Sequence, residues 1–257
     1  MHTSLIVPPS PLLNKVPEVT LFFWIIKVMS TTVGETAADF LIFNLKFGLT
    51  ITSLLMGGLL LIVLWIQLKS RQYTPWKYWL AVVSISIFGT LLTDNLSDHF
   101  GVPLILTTSL FTIALIITFV LWYRSEHTLS IQSIHTRRRE ILYWIAILFT
   151  FALGTAAGDL VAEGFRLGYL TSGLIFGSLI GVIALLYYVF QRNAIASFWV
   201  AYILTRPFGA SWGDYLSQPV GSGGLGLGTF GTSTLFLVVI VGLVSYLSIS
   251  HQKWISQ

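Results

Sequence analysis

Cysteine is absent from the 257 residues, and with it disulfides, iron–sulfur clusters and thiolate metal sites. Charge is scarce: 9% of side chains are charged against 55% hydrophobic, and the mean hydropathy is +0.82. A soluble domain of this length needs far more charge to cover its surface. The histidines (His2, His99, His127, His135, His251) fall in tails and loops, so no b-type haem site is expected. There is no H-E-x-x-H. The G-x-G-D of intramembrane aspartyl proteases is also missing, since the nearest stretches read TAAGD and ASWGD. An enzyme is therefore not expected. The opening MHTSLIVPPSPLLNKVPEV lacks the basic, apolar and small-residue regions of a signal peptide. It reads as a short interfacial tail before a first helix that stays in the protein.

What is present is long apolar runs. Eight blocks reach the roughly 20 residues needed to cross a bilayer, with predicted helices at 18–41, 49–67, 77–97, 103–123, 140–162, 169–190, 195–217 and 229–249. The expected fold is an all-α polytopic membrane protein in one domain, 1–257.

One spacing organises the chain. Trp24, Trp79, Trp144 and Trp199 are each followed ten residues later by a glycine (Gly34, Gly89, Gly154, Gly209). Five residues further on come Asp39, Asp94, Asp159 and Asp214. The pattern W-x9-G-x4-D thus occurs four times, at intervals of 55, 65 and 55. A repeat of this kind takes precedence over any other reading. It predicts four parallel two-helix units, 15–69, 70–124, 140–191 and 192–250, in two similar halves offset by 120 residues. The stretches LTITSLLMGGLL (49–60) and YLTSGLIFGSLI (169–180) match between the halves.

Basic residues sort by side. Lys15, Lys69, Arg71, Lys77, Arg124, Arg137, Arg138, Arg139, Arg192 and Lys253 lie where repeats begin and end, against Lys46 and Arg166 on the other side. Cytoplasmic loops carry such an excess, so both termini are expected in the cytoplasm of a prokaryote, with the chain in its plasma (inner) membrane. The pI near 9.4 reflects this topology, and nucleic acid is not an expected partner. Trp65, Trp76 and Trp122 sit at the same helix ends, as an aromatic belt would. From each motif tryptophan, fifteen residues of helix rise roughly 22 Å, which places the aspartates in the outer part of the membrane.

Seven of the ten acidic residues lie in or beside the motif: Glu35, Asp39, Asp94, Asp98, Asp159, Glu163 and Asp214. Glu35/Asp39, Asp94/Asp98 and Asp159/Glu163 are i, i+4 pairs, which share a helix face. Away from water, such a pair needs a shared proton or a bound cation. Intramembrane carboxylates mark ion or proton pathways by default. Lys27 and Arg206 are the candidate counter-charges, although a lysine there could also snorkel to the membrane edge. Glu35, Asp39, Asp94, Asp159 and Asp214 are the candidate ligands for a hard metal ion, because oxygen donors suit Mn²⁺, Mg²⁺ or Ca²⁺. His99 beside Asp98 is a further candidate ligand. GSGGLGLGTFG (221–231) reads as an outer loop or a re-entrant filter. Equally, small residues and carboxylates near helix ends can serve helix packing and capping alone.

The segment KVPEVTLFFWIIKVMSTTVGETAADFL (15–41) resembles the opening of a bacterial and archaeal membrane-protein family defined by a repeat of unknown function, DUF347. The resemblance implies four repeats of two transmembrane helices, each with a characteristic tryptophan. It implies little about activity. Repeat 4 departs most, with Pro207 inside its helix and Ala210 where the others have Glu35, Thr90 or Thr155. The expected function is a transporter or exporter of a hard cation, divalent metal first, with protons as a counter-ion. A bound divalent ion would be its cofactor, and membrane lipid and a small cation its partners, with homo-oligomerisation left open. The alternatives are a monovalent cation or proton channel, and a non-transporting sensor or assembly protein.

Overall fold

The computed structural model describes residues 14–191 and 193–255. The described residues form eight long α-helices and no strand: α1 Leu21–Asp39, α2 Gly48–Lys69, α3 Pro75–Asp94, α4 Leu104–Glu126, α5 Arg137–Asp159, α6 Tyr169–Tyr188, α7 Ala194–Ser217 and α8 Thr229–Ile255. Six are long and apolar enough to cross a membrane. The exceptions are α1 and α7, which carry Lys27, Glu35, Asp39, Arg206 and Asp214. Charge lowers their hydropathy, yet they pack inside the same bundle as the other six. Most of the expected tail, residues 1–13, lies outside the described residues.

The odd-numbered helices carry the motif and close a ring in the order α1, α3, α5, α7 and back to α1. Each even-numbered helix packs outside the ring on the motif helix of the following repeat: α2 on α3, α4 on α5, α6 on α7 and α8 on α1. Burial follows this plan. In α3 and α5, 56% and 61% of the apolar window is buried, against 17–22% in α2, α4, α6 and α8, whose outer faces are left for lipid.

The motif residues explain the ring. The residue before each tryptophan stacks on the tryptophan of the next repeat: Phe23 on Trp79 at 5.6 Å, Tyr78 on Trp144 at 5.5 Å, Tyr143 on Trp199 at 6.3 Å and Phe198 on Trp24 at 5.7 Å. This aromatic pinwheel fills the basic end of the ring. About two to three helical turns deeper, each motif glycine receives the side chain seven residues after the next tryptophan. Gly34 faces Ser86, Gly89 faces Phe151, Gly154 faces Arg206 and Gly209 faces Thr31. Small residues at such crossings let backbones approach closely. Tryptophan and glycine thus each make one contact type four times around a closed cycle.

The basic end is tied by a short strap. The Asn14 amide donates to Ile131 O (3.1 Å) and its carbonyl accepts from Ile134 N (3.2 Å), while Lys15 pairs with buried Glu140 at 2.6 Å. Trp65 and Trp76 are half exposed, as a membrane belt requires. Trp122 is not part of that belt. It is fully buried and packs on Trp199 (5.7 Å) and Tyr143 (6.3 Å), because α4 turns that face onto the ring.

Candidate functional site: an acidic funnel

At the other end of the ring, three of the four motif aspartates end a stretch of regular helix. After Asp39, Asp94 and Asp159 comes one π turn, over Phe40–Asn44, Asn95–His99 and Leu160–Gly164. Each turn closes by a backbone bond five residues back (Leu45 N to Phe40 O 3.0 Å, Phe100 N to Asn95 O 3.0 Å, Phe165 N to Leu160 O 2.8 Å). The chain then passes through a left-handed residue, Lys46, Gly101 or Arg166, at φ of 55°, 66° and 56°. Single π turns recur at functional sites because they re-aim the side chains around them. In repeat 4, α7 continues as regular helix through Asp214 to Ser217.

All seven predicted acidic residues line one cavity of about 730 Å³. Its wall also includes Ser97, His99, Tyr169 and Gln218, with an apolar flank of Ile42, Phe43, Leu49 and Leu104. Asp214 is buried, Asp39, Asp94 and Asp159 are half-buried, and Asp98 and Glu163 are exposed at the rim. Gln218 donates to Asp39 Oδ2 at 3.1 Å, Ser97 Oγ to Asp98 Oδ1 at 2.7 Å and Tyr169 Oη to Glu163 Oε1 at 3.1 Å. His99 packs edge-on against Phe100 at 4.9 Å. The carboxylates stand around the wall instead of meeting at a point. Among the described residues, no three His, Asp or Glu side chains are grouped to hold a metal ion. The expected ligand set Glu35, Asp39, Asp94, Asp159 and Asp214 therefore does not form an inner coordination sphere.

The floor of the funnel is Arg206. Its side chain is fully buried and pairs with Glu35 Oε2 at 2.9 Å. It also donates to Thr31 O (3.1 Å), Thr155 Oγ1 (2.8 Å) and Thr90 Oγ1, and Thr90 Oγ1 donates to Glu35 at 3.3 Å. The register gives the reason. Glu35, Thr90 and Thr155 each lie eleven residues after their tryptophan, where repeat 4 has only Ala210. Arg206, one turn earlier in repeat 4, reaches all three polar partners. A bidentate-capable guanidinium suits such a convergent site better than an ammonium.

Below Arg206 lies Lys27. It does not snorkel: the side chain is fully buried, with Nζ 4.2 Å from the Phe151 ring centroid and 4.3 Å from that of Tyr202. Its Nζ has no hydrogen-bond partner and lies packed against the two ring faces. Read from the funnel inward, the ring interior is carboxylate, then the Glu35–Arg206 pair, then Lys27, then the aromatic pinwheel. The glycine-rich loop is not a filter. Apart from buried Gly224, residues 220–227 are exposed, and the loop bonds back to the end of α7 (Leu225 N to Tyr215 O 2.7 Å, Gly226 N to Gln218 O 2.9 Å).

These features define a class: a polytopic helical membrane protein whose repeated helix pairs enclose an acidic funnel closed at its inner end. The chain belongs to the family of the Repeat of Unknown Function, DUF347, whose repeat matches four times, at residues 22–73, 77–128, 142–193 and 197–253. No curated protein and no solved structure matches it.

Proposed function

We propose that this membrane protein is a carrier for a small cation, which it takes up in the acidic funnel. The observation that carries this reading is the convergence of seven carboxylates, from all four motif helices, on one cavity. Unused carboxylate within a membrane is expensive, and such a wall concentrates cations. With no inner-sphere ligand group, the cation is held through its water shell or by separate hydrogen bonds. A hydrated hard cation such as Mn²⁺ fits, with protons as counter-ions. The closed floor favours a carrier over a channel. A cation leaving the funnel inward meets Arg206 and then Lys27, so passage requires the helix ring to rearrange. In this reading the basic rim faces the cytoplasm of a prokaryote and the funnel opens outward. The ring encloses the funnel within one chain, so the site needs no second copy.

The test is flux into proteoliposomes. Asp39→Asn and Asp159→Asn are expected to abolish cation uptake while leaving thermal unfolding and gel-filtration behaviour unchanged. The second reading, a non-transporting sensor or assembly protein, is favoured by the tight locking of the floor around Arg206. It would be supported if the purified protein moves no cation and the same substitutions disturb only assembly.

A further inference from the structure

A second cavity, of about 420 Å³, lies at the opposite end of the molecule, between the end of α4 and the start of α7. Its body is apolar, formed by Phe119 and Tyr123 of α4 with Ala196, Val200 and Ile203 of α7. Its mouth is polar, formed by His127, Thr128 and Asn193. In the other half the pseudo-symmetric pair, α3 and α8, packs together more closely than α4 and α7 do. The groove opens sideways: Tyr123, Ile195 and Val200 are 57%, 36% and 41% exposed on helix faces turned to the bilayer. In a chain whose helices cross a membrane, that exposed side is open to lipid.

Arg124, exposed, directly follows Tyr123 of the groove wall and stands three residues before His127 of its mouth. Glu126, the acidic residue nearest the mouth, is occupied by Arg139 at 2.6 Å. The mouth also holds the start of the 24-residue helix α7, capped by Asn193 through Ile195 N and Ala196 N, and a helix N-terminus favours an anion. An apolar slot with a polar mouth and Arg124 beside it matches a lipid with one acyl chain and a negative headgroup.

We propose that this groove is a binding site for an anionic phospholipid, with an acyl chain between α4 and α7 and the phosphate at the rim formed by Arg124, His127 and the start of α7. The proposal is independent of what the funnel carries. The full-length protein would be placed in nanodiscs containing equal phosphatidylglycerol and phosphatidylcholine, and retained lipid would be counted by native mass spectrometry. The wild type is expected to retain phosphatidylglycerol over phosphatidylcholine by about 5-fold, the factor for one surface basic contact. Ala196→Trp, at an exposed position inside the slot, should lose the retained lipid while unfolding at the wild-type temperature. Val200→Trp serves the same purpose if the first variant does not fold. Arg124→Gln should keep a lipid but lose the headgroup preference. Equal retention of both lipids by the wild type overturns the proposal, as does unchanged phosphatidylglycerol retention in both tryptophan variants. A change of oligomeric mass in those variants also overturns it, since it would show a second copy seated in the groove.

Discussion

Arg206 shows how a single residue can complete a broken repeat. Its guanidinium stands where a four-fold pattern would place a fourth polar side chain, and its partners come from the other three repeats. Removing one member of a buried ion pair leaves an uncompensated charge and costs about 3–5 kcal/mol. The carboxylate of Glu35 has a side-chain exposure of 9%, so water restores little. Arg206→Gln is therefore expected to lower thermal stability in detergent by an amount in that range. The double variant Arg206→Gln/Glu35→Gln should recover most of it, because both charges are then gone. If the single variant unfolds at the wild-type temperature, the pair does not hold the floor.

At the scale of helices, each motif residue has its own structural task. Tryptophan stacks at the basic end, glycine sets the closest approach, and aspartate lines the funnel, ending the regular helix in the first three repeats. The glycine task is directly testable. A Cβ on Gly89 would stand 2.8 Å from Phe151 Cβ, 3.2 Å from Ala152 N and 3.3 Å from Phe151 C, and two of those three atoms are backbone that cannot swing aside. Gly89→Ala should therefore cost roughly 1–3 kcal/mol, the usual range for overpacking. Gly58 in α2 has nothing within 4 Å of such a Cβ, so Gly58→Ala should leave stability equal or raise it by up to about 1 kcal/mol through helix propensity alone. Equal unfolding temperatures for the two variants would remove the close-approach role. The repeat spacing made the helix pairs legible, because tryptophan, glycine and aspartate recur at fixed intervals. The grouping of the carboxylates was legible for the same reason, since one register places all four aspartates at one height. The π turns were not legible, because FLIFN, NLSDH and LVAEG share no composition that sets them apart from ordinary helix. Trp122 misled for a related reason: a tryptophan at a helix end looks the same whether it faces lipid or a neighbouring helix. Arg206 needed the order of helices around the ring, although counting eleven residues from each tryptophan shows Glu35, Thr90 and Thr155 in one tier.

For the whole molecule, the cyclic contacts mean that no repeat is first. The stacking of Phe198 on Trp24 and the seating of Thr31 against Gly209 join repeat 4 to repeat 1 by the same contacts that join the others, and α8 covers α1 as α2 covers α3. The chain connections run outside these contacts. Helix α1 begins, and α8 ends, on the same face of the ring, because each two-helix repeat returns to the side where it started. A chain whose ends lie together can be re-opened elsewhere when the new break falls in an exposed loop. The link between α6 and α7 is such a place: Phe190, Gln191 and Asn193 are exposed. A circular permutant that starts at Asn193 and joins the old ends by a flexible linker is expected to reach the membrane and run as a single gel-filtration peak. Its unfolding temperature should lie within a few degrees of the wild type, because every ring contact is regained. The strap from Asn14 to Val16 makes this demanding, since the linker must leave the Lys15–Glu140 pair intact. A permutant that aggregates despite a long linker would show that the order of repeats along the chain matters. The closed ring would then be a product of sequential insertion and not a set of four equivalent joints.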